Sequence, residues 1–178
     1  MTEDVTRAFT AMLVLMAQQG EREALERLAA RWRPRHYAHA RRLLGNADGA
    51  ADAVQDAWAG IVRGLVRLRE PEGFPAWSYA IVTRRCQDAI RRKGREPPGD
   101  PDADPPDPAA TGEEQTSELR RAMAALSPDQ RAAIALFYLD GFSVGEIAEA
   151  LGIPSGTVKT RLFHARRTLR RQLEGDEA

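Results

Sequence analysis

The chain has 178 residues with 26 Lys or Arg and 26 Asp or Glu, so its formal net charge at neutral pH is zero. This length accommodates one large domain or two small ones, and the balanced total excludes a uniformly basic or acidic protein. The charges are nevertheless segregated, because residues 1–95 carry +6, residues 96–118 carry −8 and residues 119–178 carry +2. Two basic segments joined by an acidic connector are therefore indicated.

Cysteine content and hydropathy favour a cytoplasmic protein. Cys86 is the only cysteine in the sequence, which excludes an intrachain disulfide and fits a reducing compartment. The apolar run from Ala8 to Ala17 is ten residues long, too short to cross a bilayer, and acidic residues precede it. We expect neither a signal peptide nor insertion into a membrane.

Residues that support catalysis or bind metals are not grouped in the sequence. His36 and His39 have no cysteine or third histidine nearby, so we interpret them as surface histidines rather than metal ligands. The sequence also lacks the spacing of a nucleophile–base pair or of a phosphate-binding loop. We therefore expect no enzyme activity, no metal and no cofactor.

The first half is rich in Ala, Leu and Arg and lacks alternating β-branched runs, so it predicts helices throughout. Four helices are expected, over residues 4–18, 21–44, 49–68 and 76–93. Pro34 should bend the second helix, because its ring does not fit an unbroken helix interior. Two prolines and a glycine make residues 69–75 a loop.

The third predicted helix has one apolar and one polar face. The inward positions are Val54, Ala57, Trp58, Ile61 and Leu65. Asp52, Gln55 and Asp56 then face outward.

The fourth predicted helix begins with aromatic side chains and continues with basic ones. The aromatic residues are Phe74, Trp77 and Tyr79, and the basic ones include Arg84, Arg85, Arg91 and Arg92. Aromatic residues at such a junction commonly belong to the core, and the spacing packs Trp77 and Ile81 inward. Rings beside a basic helix are also how proteins hold single-stranded nucleic acid. Both interpretations stay open at this point.

Residues 97–116 are rich in Pro and Asp and almost free of large apolar side chains, so they predict a disordered linker. Extended, such a linker reaches ~60 Å, which lets two modules sit well apart on one duplex. Packing of the modules on one another stays an alternative.

The second half predicts a helix-turn-helix. A helix is expected near residues 117–126, and the run from Ser127 to Gln130 is a strong start signal for a second, which Asp140 and Gly141 end after Leu139. Ser143 and Glu146 form a capping box for a short helix over residues 144–151. Gly152 then supplies the turn, and Ser155 should cap the final helix after Pro154.

The final helix has an apolar stripe and a basic face. The stripe consists of Val158, Leu162, Ala165 and Leu169. Between Ser155 and Arg171 there are six Lys or Arg and no acid, which favours DNA phosphate as the partner over a merely solvated face. The candidate DNA contacts are Ser155, Gly156, Thr157, Lys159, Thr160, Arg161, Phe163, His164, Arg166, Arg167, Arg170 and Arg171.

The residues along this helix should have different roles, because the N-terminal part of a recognition helix enters the major groove of DNA and the later part meets the phosphate backbone. We assign Lys159, Thr160 and Phe163 to base edges. The phosphate contacts are Arg166, Arg167, Arg170 and Arg171. Arg161 and His164 remain unassigned.

These features resemble bacterial sigma factors of the extracytoplasmic-function (ECF) group, which contain a sigma-2 and a sigma-4 domain. The resemblance covers about residues 10–95 and 117–173. Its most specific parts read DAVQDAW at 52–58, FPAWSY at 74–79 with DAIRR at 88–92, and LGIPSGTVKTR at 151–161.

The resemblance implies an all-α fold with two small helical domains. The sigma-2 domain would cover residues 1–96, the flexible linker 97–116, the sigma-4 domain 117–173, and a short tail 174–178. As partners it implies core RNA polymerase, promoter DNA and an anti-sigma factor.

The resemblance also implies sites. Core RNA polymerase would place its β′ clamp helices on Asp52, Gln55 and Asp56, with its β flap as a further contact. The final helix would read the −35 element in the major groove. The −10 element would be held as a single strand by Glu70, Phe74, Trp77, Arg84, Arg85, Arg91 and Arg92.

The chain departs from the family pattern at three places. Gly49, Ala50 and Ala51 stand where the docking motif usually has more acid, Arg84 stands where Asn is common, and Ala80 where Arg is common. The −10 preference is therefore not carried over. Two other interpretations stay open: a helix-turn-helix regulator whose first module senses or dimerises, and a sigma-like decoy that binds an inhibitory partner without initiating transcription.

Overall fold

In the computed structural model, the described residues are 3–94 and 113–174, and they contain helices but no strands. The first module consists of α1–α4 and the second of α5–α8. The α-helices are α1 Glu3–Gln18, α2 Arg22–Leu44, α3 Ala47–Leu65, α4 Phe74–Lys93, α5 Glu113–Ala124, α6 Pro128–Ile134, α7 Val144–Leu151 and α8 Ser155–Glu174. The all-α prediction is confirmed. Of the expected linker, residues 97–112 lie outside the described residues and 113–116 belong to α5.

Several helix boundaries differ from the sequence prediction for local reasons. α3 begins before Gly49 because the Asn46 side chain accepts a hydrogen bond from the Gly49 N–H at 2.7 Å and caps the helix. A 3₁₀ turn, Pro71–Gly73, leads directly into α4 within the predicted loop. Ser155 is the first residue of α8 rather than its cap, since the Pro154 carbonyl accepts from the Val158 N–H at 3.2 Å. Pro34 lies inside α2, which continues on both sides of it.

The core of the first module is aromatic at its centre. Trp58, Phe74 and Ile61 are almost fully buried, and the apolar stripe predicted for α3 faces inward as expected. The Trp32 ring meets the Phe74 ring edge-on at 5.8 Å. Fully burying side chains of this size contributes on the order of 1.5–3 kcal/mol each. This cluster fixes α2, α3 and α4 against one another.

The prediction of surface histidines is wrong, because His36 and His39 are both fully buried. α2 packs against both α3 and α4, so two α2 residues three positions apart can both face inward. The Trp58 indole N–H donates to His36 Nδ1 at 3.1 Å, so His36 Nε2 carries the proton and faces Ser78 Oγ at 3.1 Å. Burial, with a smaller contribution from His39, lowers the pKa of His36 to about 3.

The second module is built on predicted caps and an apolar stripe. The Ser143–Glu146 capping box forms with both hydrogen bonds, and Gly152 adopts the left-handed conformation at φ 63°. Val158, Leu162 and Ala165 of α8 are buried, as the periodicity predicts. α6 widens into a π-helical turn, Ala135–Leu139, before the helix-turn-helix begins.

Arg131 ties the start of the second module to the first. Its guanidinium donates to the carbonyls of Met123, Ala124 and Leu126 at 2.9, 3.2 and 3.1 Å. It also donates to the Leu43 carbonyl in the last turn of α2 at 2.7 Å. Carbonyls at the C-terminal end of a helix have no partner inside the helix, so one side chain satisfies the ends of both α5 and α2. The two modules are therefore in direct contact.

The buried, neutral His36 predicts a pH-dependent stability. In the unfolded chain His36 is protonated below pH 6.5, whereas in the folded chain its pKa is about 3. Between these two pH values the unfolded state binds a proton that the folded state does not bind, so the free energy of unfolding should fall as the pH drops. The slope should approach about 1.4 kcal/mol per pH unit for this group. His36→Gln should flatten the slope measured by urea denaturation between about pH 7 and pH 5. His164→Gln, at an exposed position, should leave it unchanged, and equal slopes for wild type and His36→Gln would contradict the assignment.

Candidate nucleic-acid interface

The outer face of α8 is the surface that the sequence predicts to bind the −35 element. Its apolar stripe is buried, so Lys159, Thr160 and Arg167 on the other side are exposed. Phe163 is 55% exposed, and its ring lies edge-on to the His164 ring at 5.4 Å. An aromatic ring this exposed on a helix stabilises no core, so it is available to contact a base methyl group.

Several members of the predicted contact set already have partners within the protein, among them Arg161, Thr160 and Arg166. Arg161 Nη2 donates to Asp129 Oδ2 at 2.7 Å, and the Arg161 side chain is 23% exposed. The Thr160 hydroxyl donates to the Gly156 carbonyl at 3.0 Å, which leaves its oxygen free to accept. Arg166 Nη1 donates to the Tyr138 hydroxyl at 3.4 Å. The Arg161 guanidinium therefore connects α8 to α6 in this arrangement, and its assignment to DNA stays a prediction.

The remaining members of the set differ in access. Thr157 is partly buried, whereas the others lie at the surface: Ser155, Gly156, Lys159, Phe163, His164, Arg167, Arg170 and Arg171. The start of α8 thus presents small side chains followed by a lysine and an aromatic ring. Small residues at a helix N-terminus let the backbone approach a nucleic-acid surface closely.

The polar face of α3 is exposed, as the sequence predicts. Asp52, Gln55 and Asp56 lie on the surface opposite the buried Trp58 and Ile61. Neither carboxylate forms an ion pair within the described residues. These groups therefore do not hold the fold together, and a surface carboxylate without a structural role suits an external partner.

The aromatic start of α4 is divided between core and surface. Phe74 is fully buried, which corrects its assignment as a DNA contact: as the first residue of α4 it fills the core beside Trp32, and no base can stack on it. Trp77 is partly exposed and packs on Gly64 of α3, where an added Cβ would lie 2.9 Å from the ring. Glu70 is exposed just before the 3₁₀ turn.

The basic residues of α4 lie at the surface. Arg84, Arg85, Arg91 and Arg92 are all exposed. Arg91 pairs with Asp88 on its own helix, an exposed ion pair of the kind that contributes about 0–1 kcal/mol. Asp56 of α3 borders the same shallow depression as Arg85, Arg91 and Arg92. The acidic face of α3 and the basic face of α4 are therefore contiguous.

Asp140, which sequence analysis treated only as a helix stop, lies at the centre of the contact between the modules. Its side chain is 6% exposed, although it follows the π-helical turn in the second module. Three donors from the first module surround it: His39 Nδ1 at 2.8 Å, Arg42 Nη1 at 3.0 Å and the Tyr79 hydroxyl at 3.2 Å. Burial, followed by the adjacent Asp140 carboxylate, raises the pKa of Tyr79, which therefore remains a donor. We call these four residues the Asp140 cluster.

A second acid, Asp129, makes a parallel connection. Sequence analysis treated it as part of a helix start, but its carboxylate accepts from Gln87 Nε2 of α4 at 3.2 Å as well as from Arg161 of α8. Arg7 of α1 also pairs with Glu146 of α7. Burial alone would raise the pKa of Glu146, but hydrogen bonds from Ser143 and the Arg7 guanidinium outweigh it and lower that pKa. The contact between the modules thus combines these polar pairs with apolar packing, in which the Tyr79 and Phe142 rings lie 4.9 Å apart.

The described residues offer no group of three His, Cys, Asp or Glu side chains that could hold a metal ion. Cys86 is buried, and burial raises the pKa of its thiol to about 12, so the thiol stays protonated and unreactive. Within the same ranges, no helix is both long and apolar enough to cross a bilayer.

Comparisons with known proteins match both modules. The family described as Sigma-70 region 2 matches residues 28–96, and the family described as Sigma-70, region 4 matches residues 116–169. The ECF RNA polymerase sigma factor SigM of Mycobacterium tuberculosis (strain ATCC 25618 / H37Rv) is 32% identical over 155 residues, which cover 86% of this chain and 79% of that protein. The ECF RNA polymerase sigma-E factor of Escherichia coli (strain K12) is 30% identical over 174 residues, covering 89% and 91%.

Solved structures give the same picture. The sigma factor RpoE from Bartonella quintana, in a co-crystal with the anti-sigma factor NepR, matches with a TM-score of 0.72 and 27% identity, covering 86% of this chain and 98% of that one. CnrH, in complex with the cytosolic domain of CnrY, matches in fold with a TM-score of 0.71 and 23% identity, covering 95% and 99%.

Proposed function

The chain belongs to the extracytoplasmic-function RNA polymerase sigma factors, and from this premise we propose how its residues divide the work of initiation. It is an alternative sigma factor that directs transcription initiation, and sigma factors bind core RNA polymerase and promoter DNA. The observation that carries the proposed division is that α3 and α8 each bury an apolar stripe and expose a polar face. Each exposed face is left for a partner.

The polymerase contact is assigned to Asp52, Gln55 and Asp56. All three are exposed and the two carboxylates are unused by the fold, so binding a partner leaves the core of the first module intact. The β′ clamp helices are the proposed docking partner, with the β flap meeting the second module. Two carboxylates on one helix face favour a basic partner and raise the association rate through long-range attraction.

The promoter contacts are assigned to α8 and α4. Lys159, Thr160 and Phe163 in the N-terminal half of α8 meet base edges of the −35 element, and the later arginines meet phosphates. On α4, the partly exposed Trp77 stacks on an unpaired base of the −10 element. The cations that track the strand are Arg84, Arg85, Arg91 and Arg92, while Glu70 lies at the edge of this surface. Phe74 supports Trp77 from the core at a ring distance of 6.0 Å.

Regulation and location follow from the same proposal. One solved relative, the sigma factor RpoE, is in complex with an anti-sigma factor, and we propose that an anti-sigma factor also binds this chain. A polymerase subunit works in the cytoplasm and performs no chemistry of its own. A helix-turn-helix regulator that does not bind polymerase would need no exposed acidic face on α3. A sigma-like decoy that only binds an inhibitory partner would need no basic face on α8, whereas this chain has both faces.

The polymerase assignment predicts the effect of reversing charge on α3. The double variant Asp52→Lys, Asp56→Lys should weaken binding to core RNA polymerase at least about tenfold, because two attractive pairs become repulsive. The measurement is a fluorescence titration of labelled sigma with core enzyme. The matched control is Glu23→Lys, Glu26→Lys on α2, which changes net charge equally and disturbs only exposed pairs. Unchanged affinity in a folded α3 variant would contradict the assignment.

The −35 assignment predicts different losses at the two ends of α8. Lys159→Ala should cost about 1–3 kcal/mol on the cognate −35 duplex and far less on a scrambled duplex, because base contacts carry specificity. Arg171→Ala should weaken both duplexes by similar factors and reduce the salt slope by about one. Fluorescence anisotropy over a salt series measures both quantities. Equal losses of affinity on both duplexes for Lys159→Ala would contradict the assignment and show that α8 binds DNA without sequence specificity.

A further inference from the structure

The first turn of α4 carries Trp77, the ring proposed to stack on an unpaired base of the −10 element. Gly73 occupies the cap position before α4, and within the described residues no side-chain hydrogen bond caps this end of the helix. The ends of helices fray. The position of Trp77 therefore depends on the contacts that the first turn of α4 makes with α2 and α3.

A buried chain of hydrogen bonds connects this turn to both neighbouring helices. The Trp58 indole N–H of α3 donates to His36 Nδ1 of α2 at 3.1 Å. His36 Nε2 lies 3.1 Å from Ser78 Oγ of α4, and Ser78 Oγ lies 3.0 Å from the Pro75 carbonyl oxygen. All three side chains are almost fully buried. We call Trp58, His36 and Ser78 the His36 bridge.

The hydrogen bonds of the His36 bridge can run in one direction only. An indole N–H donates and never accepts, so His36 Nδ1 must accept and the ring proton lies on Nε2. The Pro75 carbonyl only accepts, so the Ser78 hydroxyl donates to it and accepts from His36 Nε2. Removing the Ser78 hydroxyl would therefore release the Pro75 carbonyl and leave a buried His36 N–H without a partner.

On its other side Trp77 lies against two glycines of α3. A Cβ added at Gly64 would lie 2.9 Å from the Trp77 ring, too close for an undisturbed contact, whereas one at Gly60 would lie at an ordinary 3.8 Å from Ile81 Cγ2. Each pair of residues occupies positions i and i+4, so both pairs lie along the same line of contact between α3 and α4. The absence of a side chain at Gly64 thus makes room for the Trp77 ring.

We propose that the His36 bridge and Gly64 hold Trp77 in the orientation that receives the unpaired −10 base, which makes His36, Ser78 and Gly64 positioning residues for promoter opening. The inference rests on the proposed function for the role of Trp77. A ring that is held in place before binding loses less conformational freedom when a base stacks on it. The side chains of the His36 bridge act through Trp77, because they are too buried to contact DNA themselves.

The chain offers a matched comparison for Ser78. Thr83 lies further along α4 and is also buried, and its hydroxyl lies 2.9 Å from Nε2 of His39 on α2. Both hydroxyls thus connect α4 to a histidine of α2, but only Ser78 is next to Trp77 in the chain. Ser78→Ala and Thr83→Val each remove one buried hydroxyl, so both should lower the free energy of unfolding.

Acrylamide quenching of tryptophan fluorescence in the full-length chain measures whether Trp77 has moved. Of the three tryptophans, Trp32 and Trp58 are buried and Trp77 is partly exposed, so quenching reports mainly on Trp77. Ser78→Ala and Gly64→Ala should raise the quenching constant. The controls Thr83→Val and Gly60→Ala should keep the wild-type constant. Wild-type quenching in both folded test variants would overturn the proposal.

Holoenzyme assembled from each variant and core RNA polymerase shows whether the position of Trp77 matters for promoter opening. A fluorescent base analogue, 2-aminopurine, in the −10 element measures strand separation. Ser78→Ala and Gly64→Ala should weaken opening roughly threefold to tenfold, the equivalent of about one hydrogen bond. Affinity for core RNA polymerase should stay at the wild-type value, and Thr83→Val should open the promoter as the wild type does.

The remaining outcomes separate the positioning role from the proposed function. Equal losses of opening in Ser78→Ala and Thr83→Val would overturn the proposal, because lost stability would then explain both. Displacement of Trp77 with wild-type opening would also overturn it. Wild-type opening by Trp77→Ala would contradict the proposed role of Trp77 in binding the −10 element, whatever the quenching shows. If Ser78→Ala fails to fold, Gly64→Ala tests the same prediction from α3.

Discussion

A buried carboxylate, Asp140, determines how the two halves of this sigma factor are placed. A charge that is 6% exposed requires donors, and the three it has lie on α2 and α4, about 60 to 100 residues earlier in the chain. Satisfying it fixes the second module against the first in one orientation. Other polar contacts between the modules agree with that placement, since Gln87 donates to Asp129 and Arg131 donates to the Leu43 carbonyl.

The helix proposed to bind a partner has the same two-sided arrangement in each module. Each functional helix buries one stripe and leaves the opposite face free, so that a partner can bind without disturbing the core. In α3 the buried stripe includes Trp58, Ile61 and Leu65, and the free face is acidic. In α8 the buried stripe is small and aliphatic, and the free face is basic. The opposite signs of these faces suit a protein surface and a phosphate backbone respectively.

Features encoded within a few residues could be predicted from the sequence. The Ser143–Glu146 box, the Gly152 turn and the stripes of α3 and α8 depend on residues at most one or two turns apart, and the structure contains them all. The four-helix order of each half followed from the same local signals. The boundaries moved by a few residues where a side chain such as Asn46 took over the cap.

What the sequence could not reveal depends on distant contacts. Because histidine is polar, the sequence pattern places His36 and His39 at the surface. In the structure α3 and α4 enclose both rings and supply Trp58, Ser78 and Thr83 as hydrogen-bond partners. Phe74 was assigned to DNA through the family resemblance, yet its position at the start of α4 directs it into the core. Asp140 carried no signal beyond a helix stop, because its three partners are far away in the sequence.

The central claim is that the buried carboxylate of Asp140 holds the two modules of this sigma factor in one arrangement. The most direct measurement is energy transfer between dyes on Glu23→Cys of α2 and Gln172→Cys of α8, both exposed positions, with the buried Cys86 left unlabelled. Transfer should be efficient in the wild type and should fall in the Asp140→Asn variant, because the second module loses the charge that its three donors in the first module hold. Equal transfer efficiency in the wild type and in a folded Asp140→Asn variant would contradict the account.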